Sequence, residues 1–599
     1  MALRLSFDRV LDNAGLFALT PARSRRSVRD ELQRRGASMS FTRTSRHESP
    51  TEHRTDRHRP RVRRLCVILA LACAGCNQGG GGTQRGAGRA DLAAVLTTEH
   101  RTVNEFLTAA DVTEVTRRAA ESIDATTMVI AVTDREGQVL AVLRKPDAPA
   151  TVIGNFGVTV NANDFAVSLA RTASFFSNDQ APLSSRTVRF ISGVHFPPGI
   201  TNKPNAALYG IENTNRGCPI ASPPVTPDFN PGQAVTPSKS LNGLPCNALD
   251  ARGCGLGIAT GKPDTSDTDA TSVTGGGVPI FKNGQVVGGV GVAGVSPDLA
   301  EFAAFMGSLP DARFGPRPAD PGVIFLDGIQ LPFVVQTTRP AGSGPGTMAG
   351  STFVVGPLDS PRMAAGVPDG WLIGPVASNE LLQSEVMNIV SQAVAQADVT
   401  RAAIRLPLGS TTRMVIAVSD LQGAIRGLFR MPDATVFSID VAVAKARNVA
   451  YFSSPGLVRS DLPGVVLPDM PDTIAAVTNR TISFGAQPFY PPGIDGTAAG
   501  PFFQLFLNDV ATPCRQGSQP PDANRQSGIV FFPGSMPLYL NGQLVGGLGV
   551  SGDGVEQDDL VTAAGATGFA PPEQIRADQI VIRDARLPFL KFPRNPEAR

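Results

Sequence analysis

Histidine is scarce in this chain of 599 residues. Five are present, and His47, His53 and His58 all lie within the first 75 residues. Only His100 and His195 remain for the rest of the chain, which excludes a metal site built from several histidines. The sequence also contains no recognisable Ser/His/Asp set, paired-carboxylate motif or Lys-containing phosphate loop. It therefore gives no positive indication of an enzyme, and it predicts no metal site.

The apolar run near the N-terminus is short. Residues 65–74 follow three arginines, and ten residues cannot span a bilayer but suit the apolar region of a signal peptide. The run ends in C-A-G-C, which resembles a bacterial lipobox whose last residue, Cys76, is lipidated. We therefore expect an exported protein anchored by lipid in the cell envelope, and Asn77 favours the outer membrane. The alternatives are a plain secreted protein and a true start at Met39.

Most of the chain also lacks an excess of positive charge. The net charge is +2, but residues 1–75 hold 16 Lys and Arg against 7 Asp and Glu, so the remainder carries a net charge of −7. This balance gives no electrostatic reason to expect a nucleic acid partner. An apolar content of 42% and a mean hydropathy of zero are typical of a globular protein.

One stretch of the chain occurs twice. Residues 278–294 read V-P-I-F-K-N-G-Q-V-V-G-G-V-G-V-A-G, and residues 536–552 read M-P-L-Y-L-N-G-Q-L-V-G-G-L-G-V-S-G. Each copy has Asn-Gly between apolar runs, and this pair tolerates the positive φ that a tight hairpin turn requires. Each copy therefore predicts a β-hairpin whose second strand is rich in glycine.

The glycine-rich strand has one apolar face and one nearly bare face. In the first copy, alternation assigns Val286, Val290 and Val292 to the apolar face. A bare face permits close approach by a helix of the same domain or by a planar ligand. We favour a helix, for which residues 108–125 or 165–177 are candidates in the first domain and 381–397 or 441–453 in the second. The bare faces are formed by Gly289, Gly291, Gly547 and Gly549.

The two hairpins belong to two passes with the same order of predicted elements. Each pass has a helix, a strand hairpin, a second helix, a long loop insert, the Gly-rich hairpin and a last helix, which predicts an internal duplication. In the first pass, Thr108 is the predicted N-cap of the first helix, with Asp111 at the N3 position. We expect an α/β (α+β) fold of two tandem domains, each with an antiparallel sheet and flanking helices. The predicted segments are a leader and signal peptide at 1–75, a Gly-rich tether at 76–103, the first domain at 104–336, a linker at 337–378, the second domain at 379–592 and a tail at 593–599.

The motifs V-I-A-V-x-D, R-x-P-D and A-R-x-x-x-F-F, followed by the Gly-rich hairpin, resemble the GlcG/HbpS-like domain, also called the haem-degrading domain. The resemblance covers both passes but not their inserts. It implies a profilin-like fold, frequent assembly into oligomers, and binding of haem or a similar planar ligand for uptake, storage or sensing. The alternatives are a structural or oligomerising protein, with copies of itself or another envelope protein as partner, and a haem-degrading enzyme.

Two arginines and one histidine are the other candidate ligand-binding residues. Arg144 and Arg430 each precede a Pro-Asp turn, where a guanidinium could clamp a carboxylate such as a haem propionate. We favour the simpler alternative of an ion pair with the Asp of the turn, Asp147 or Asp433. His195 is a candidate haem ligand or an ordinary loop residue, and the second domain contains no His. Haem in that domain would need Met, Tyr, Cys or Lys, or apolar enclosure alone.

Both Gly-rich strands also match G-x-G-x-x-G formally. They follow a hairpin rather than opening a βαβ unit, so strand packing explains them better than a dinucleotide. Four cysteines remain after the leader and Cys76. Because the export route is oxidising, we expect pairing among Cys218, Cys246 and Cys254, which leaves Cys514 without an obvious mate.

Overall fold

The computed structural model describes most of the chain after residue 104. The described residues are 105–192, 208–218, 220, 257–261, 273–320, 324–326, 329–361, 367–467, 469–492, 494, 496–522 and 524–598. They all fall within one compact unit, residues 84–599. The predicted leader, Cys76, His195, Cys246 and Cys254 lie outside them. Among the described helices, none is long and apolar enough to cross a membrane.

The N-terminal half, residues 105–361, contains one large sheet, two small ones and four helices. Its strands are β1 (Val129–Asp134), β2 (Val139–Arg144), β3 (Thr151–Ile153), β4 (Thr159–Asn161), β5 (Gly277–Lys282), β6 (Gln285–Ala293), β7 (Ile324–Leu326), β8 (Ile329–Leu331) and β9 (Thr352–Val355). Its helices are α1 (Ala109–Ser122), α2 (Ala162–Phe176), α3 (Ser185–Ser192) and α4 (Pro297–Gly307). The large sheet has the antiparallel order β5-β6-β1-β2-β9.

The C-terminal half, residues 367–598, has a large sheet of the same order. Its strands are β10 (Gly370–Ile373), β11 (Val415–Ser419), β12 (Ile425–Arg430), β13 (Val466–Leu467), β14 (Met470–Ile474), β15 (Ser535–Leu540), β16 (Gln543–Ser551), β17 (Val581–Ile582) and β18 (Ala585–Arg586). Its helices are α5 (Gln383–Ala397), α6 (Ser438–Phe452), α7 (Asn479–Gly485), α8 (Phe503–Ala511) and α9 (Val555–Gly565). The antiparallel order is β15-β16-β11-β12-β10. These sheets with flanking helices confirm the predicted α/β class.

Local signals place several elements where the sequence predicts them. Thr108 caps α1 reciprocally with Asp111: the Asp111 N–H donates to Thr108 Oγ1 at 3.2 Å, and the Thr108 N–H donates to Asp111 Oδ2 at 3.0 Å. Both Asn-Gly turns adopt positive φ, 45° and 78° in the first hairpin and 54° and 79° in the second. The capping box and both tight hairpin turns are thus confirmed.

The predicted linker does more than connect the halves. Its segment Thr352–Val355 forms β9, which pairs with β2, and its segment Gly370–Ile373 forms β10, which pairs with β12. One stretch of chain therefore supplies an edge strand to each large sheet. Sequence analysis did not predict these two short strands, because the Gly, Pro and Ser content of residues 337–378 is typical of a linker.

The bare glycine faces are covered by helices, as the favoured prediction states. A Cβ at Gly289 or Gly291 would overlap the backbone carbonyl oxygen of Ala170 or Ala166 in α2. At Gly547 and Gly549 the same overlap would occur with α6 carbonyls. Of the two candidate helices in each domain, the second is the one in contact. Because backbone lies against backbone, no space for a ligand remains on these faces.

A bulge corrects the predicted face assignment near the start of β6. The pairing of β5 with β6 shifts between Ile280 and Phe281, so that Ile280 faces Gly288 and Phe281 faces Val286. The extra residue reverses the alternation at that point. Val287 therefore joins Val290 in the core cluster, where simple alternation placed Val286.

The two halves share an apolar core. The layer between the C-terminal sheet and α6 contains Ala417 and Ala446 together with Phe176 and Leu183 of the N-terminal half. Backbone bonds cross the same boundary, since the Phe437 N–H donates to the Phe175 carbonyl oxygen at 3.3 Å. Burial of non-polar side-chain surface between the halves therefore stabilises their association.

A disulfide also crosses between the halves and corrects the predicted cysteine pairing. Cys218 is bonded to Cys514, 296 residues away, and not to Cys246 or Cys254. The folded halves bring the insert that carries Cys218 against the loop after α8, a proximity that sequence spacing does not reveal. Cys514 thus has the mate that sequence analysis did not find for it.

The close helix contact makes a prediction for Gly291. A valine there must displace α2, so Gly291→Val should lower the free energy of unfolding by about 1–3 kcal/mol, as overpacking typically does. Gly374→Ala is the matched control, because nothing lies within 4 Å of the added Cβ. Chemical unfolding of both variants checks this, and a Gly291→Val protein as stable as the parent would contradict the contact.

Candidate functional site

A cavity lies between the two halves. Its empty space, including a part open to solvent, is about 530 Å³. The walls are mainly apolar, and both halves contribute to them. The lining residues are Phe176, Leu183, Ile191, Leu208, Ile211, Ile404, Thr435, Phe437, Phe532, Ser551, Gly552, Asp553, Gly554, Val555 and Asp558.

Three aromatic rings form one wall of the cavity. Phe176, the last residue of α2, stacks on Phe437 with ring centroids 4.1 Å apart and planes 23° apart. The Phe532 ring also lies close to that of Phe437, with ring centroids 6.1 Å apart and planes 24° apart. The wall is built where the end of α2 meets the start of α6, so the two helices that cover the glycines also position these rings.

A buried ion pair stands at the floor of the cavity. Lys445 Nζ lies 3.0 Å from Asp558 Oδ2 and donates to the Val550 carbonyl oxygen at 2.7 Å. The same ammonium lies 5.0 Å from the centre of the Phe532 ring. Both side chains are buried. No described residue donates a hydrogen bond to the second carboxyl oxygen of Asp558, Oδ1.

A second buried carboxyl group completes the floor. Asp553 Oδ2 pairs with Arg405 Nε and accepts a hydrogen bond from the Arg413 N–H at 2.7 Å. Its Oδ1, like that of Asp558, has no hydrogen-bond donor among the described residues. Each of these two carboxyl groups thus has one oxygen engaged and one buried oxygen without a described donor.

Arg405 connects the floor to the N-terminal half. Its NH1 group lies 2.9 Å from Asp433 Oδ2 and donates to Gln180 Oε1 at 3.1 Å. Asp433 in turn pairs with Arg135 at 3.3 Å. This chain of charges crosses the boundary between the halves and fixes the loop before β11 against the cavity.

Burial dominates the electrostatics of the floor. Burial raises the pKa of Asp558, Lys445 lowers it, and Asp559 and Asp553 raise it, which together place the pKa at about 7. Burial also raises the pKa of Asp553 and lowers the pKa of Lys445. A carboxyl group with a pKa near neutrality can hold or release a proton under physiological conditions.

The two predicted arginine sites are occupied by protein groups. Arg144 donates to Asn163 Oδ1 at 2.7 Å and to the Ala148 carbonyl oxygen at 2.6 Å, and no ion pair joins it to Asp147 in the described residues. Arg430 donates to the Ala434 carbonyl oxygen at 3.1 Å. The favoured expectation of ion pairs with Asp147 and Asp433 is wrong.

The reason is geometric. Each turn places backbone carbonyls, rather than its Asp side chain, opposite the guanidinium, and Asp433 faces Arg405 and Arg135 instead. Neither Arg144 nor Arg430 lines the cavity. The four glycines named above contact helix backbone, and His195 lies outside the described residues. The structure therefore does not bring the sequence-predicted ligand residues together.

Comparison of the two halves would have revealed the ion pair. Lys445 stands in α6 where Leu169 stands in α2, because both helices have 15 residues and end in A-R-x-x-x followed by two aromatic residues. Asp558 stands in α9 where Ala300 stands in α4. In the C-terminal half alone, a lysine and an aspartate replace two apolar residues. Such a joint replacement indicates that the two side chains form an ion pair.

The neighbouring ion pair is present in both halves. Arg480 Nε lies 2.5 Å from Asp559 Oδ2, and at the matching positions Arg186 Nε lies 2.7 Å from Glu301 Oε1. This shared pair joins α7 to α9 and α3 to α4, which indicates a structural role. Among the described residues, no group of three or more His, Cys, Asp or Glu is arranged to hold a metal ion.

The raised pKa of Asp558 makes a prediction about pH. Because its pKa is higher in the folded than in the unfolded chain, its contribution to stability is present at low pH and is lost as the pH rises towards 7. The stability of the parent relative to Asp558→Asn should therefore fall between pH 4 and 8, by up to about 4 kcal/mol. Urea unfolding at several pH values measures this, with Asp522→Asn, whose side chain is 45% exposed, as control. A difference that grows in favour of the parent would contradict the assignment.

The chain is similar to known proteins over part of its length. Residues 390–567 match the family model described as haem degrading protein HbpS-like. Two solved structures are similar. The first is a PduOC–haem complex, with 21% identity over 32% of this chain and 94% of that chain and a TM-score of 0.20. The second is Klebsiella pneumoniae protein ORFY, of the DUF336 family model, with 19% identity over 32% of this chain and 90% of that chain and a TM-score of 0.20. No curated protein matches the chain. The TM-scores are too low to carry an argument, so the HbpS-like match of the C-terminal half is the comparison that bears on function.

Proposed function

We propose that this protein is an envelope-anchored small-molecule-binding protein whose ligand occupies the cavity between the halves. The observation that carries the proposal is a mainly apolar cavity whose floor holds two carboxyl groups, each with an oxygen that no described residue engages. Apolar walls with a few convergent polar groups are characteristic of ligand sites. Buried polar atoms without partners are uncommon in proteins, and a ligand would supply the missing donors.

A planar ligand fits the wall of the cavity. The ring of Phe437 is inclined by 23° to that of Phe176 and by 24° to that of Phe532. A flat molecule can therefore pack along these rings in an offset arrangement. Haem is the planar ligand that the matching family description names, and it is therefore the first ligand to test.

The described lining fits only part of haem. Its rings and apolar side chains suit a porphyrin, but it contains no His, Cys, Met or Tyr to ligate the iron. Lys445, the cation next to the floor, is already engaged by Asp558 and Val550. The iron ligand must therefore come from elsewhere, and His195, four residues after Ile191 in the sequence, is the candidate that we retain.

We further propose that both halves derive from one HbpS-like domain. The family match covers the C-terminal half. Support for the N-terminal half comes from its equal strand order and its equivalent glycine-to-helix packing. On this proposal the cavity lies between two copies that have diverged, and one copy has acquired the charged floor.

A haemin titration tests the haem proposal. The full chain should change the haemin Soret band, Leu183→Trp should abolish binding by filling the cavity, and His195→Ala should lose the band shift but keep fluorescence quenching. Leu358→Trp, at an exposed position outside the cavity, is the matched control. No spectral change with the parent at micromolar haemin would remove haem as the ligand, and a band that decays with time would indicate degradation.

An assembly role is the second candidate, and one observation favours it. The edge strand β9 exposes Phe353 and Val354 to solvent, and an exposed apolar edge can pair with another chain. A structural or oligomerising protein would use this edge and leave the cavity empty. It would bind no small molecule, while its mass in solution would exceed that of one chain.

The lipid anchor is tested at Cys76. Cys76→Ala removes the thiol that the lipobox presents for lipidation, so the protein should leave the membrane fraction and take up no labelled lipid. Cys66→Ala, within the apolar part of the signal, should retain both properties. Membrane association of the Cys76→Ala protein equal to that of the parent would contradict the anchor.

A further inference from the structure

The floor of the cavity carries charge that the fold does not require. At the positions of Lys445 and Asp558 the N-terminal half has Leu169 and Ala300, both buried, in helices of equal length. The same architecture is therefore reached with an apolar pair. Breaking a buried ion pair is destabilising, but replacing it with packed apolar residues is often neutral.

The free oxygens of the floor identify what is missing there. Asp553 and Asp558 both line the cavity, both are at least 97% buried, and each has an Oδ1 atom without a described donor. The terminal torsion of an Asp is broad, so either carboxyl group can turn towards a donor in the cavity. A group with several N–H donors and a positive charge satisfies both oxygens at once.

Resting on the proposed role of the cavity as a ligand site, we infer that its ligand is an organic cation, an aromatic or apolar ring that carries a primary ammonium group. The ammonium binds the Oδ1 atoms of Asp553 and Asp558, and the ring packs against Phe437. Ammonium near an aromatic face is already present at this floor, where Lys445 lies over Phe532. An anionic group would instead meet two carboxylates, so haem could bind here only with its propionates directed away from this floor.

The charged neighbours of Asp558 predict how binding depends on pH. Lys445 of α6 faces it, with Asp553 before α9, and Asp559 and Arg480 alongside. With a pKa of about 7, the ionised fraction of Asp558 rises from roughly one tenth at pH 6 to roughly nine tenths at pH 8. A primary amine remains protonated throughout, so its affinity should rise by about tenfold over this interval.

Three probes of similar shape test the inference by calorimetry on the full chain at pH 8. Benzylamine should bind at least tenfold more tightly than benzyl alcohol, and benzoate should not bind measurably. Asp558→Asn should reduce the affinity for benzylamine to that for benzyl alcohol and remove the pH dependence. Asp522→Asn, which removes a carboxylate outside the cavity lining, should behave as the parent.

A double variant guards against loss of folding. Lys445→Leu with Asp558→Ala installs the residues of the N-terminal half, so it should fold, keep binding benzyl alcohol and lose the preference for the amine. Retention of that preference, or equal binding of all three probes by the parent, would overturn the inference alone. Failure of the parent to bind any probe would also overturn the inference, whereas the haemin titration decides separately whether the cavity is a ligand site.

Discussion

Close packing of a helix on a glycine strand determines where everything else in the C-terminal half lies. At Gly549 a Cβ would overlap the Ala442 carbonyl oxygen, so α6 rests on the backbone of β16. At this separation Lys445 reaches past the strand, donates to the Val550 carbonyl oxygen and meets Asp558 on α9. A larger residue in the strand would move the helix and separate the pair. The glycines therefore support the site indirectly, without contacting a ligand.

The same packing occurs in the N-terminal half but leads to a different result. There α2 lies on β6 at Gly291, and the residue at the position of Lys445 is Leu169. Features common to both halves, such as the ion pair that α7 makes with α9 and its counterpart between α3 and α4, account for the fold. Features present in one half only are Lys445, Asp558 and the longer loop that carries Arg405. These converge on the cavity, which is where the two halves meet.

Sequence analysis predicted what local rules control. The Thr108 cap, the Asn-Gly turns, the hairpins and the helix cover of Gly291 all follow from turn chemistry, periodicity and residue size. It failed where distant segments meet. The Cys218–Cys514 bond and the stacked rings of Phe176 and Phe437 depend on how the halves dock, which no spacing encodes. The bulge that exchanges Val286 and Val287 likewise depends on pairing with β5.

The free-energy balance at the floor argues for a role beyond folding. Removing Lys445 and Asp558 from water costs several kcal/mol per ion, and their mutual attraction offsets this only if the remaining polar atoms are satisfied. One carboxyl oxygen of Asp558 has no described hydrogen-bond donor, and the raised pKa of this group means that it tends to hold a proton. A proton and an ammonium group supply the same charge to the same oxygen. A site that retains a proton at neutral pH in the absence of ligand is therefore a site where a cationic ligand replaces that proton at little cost.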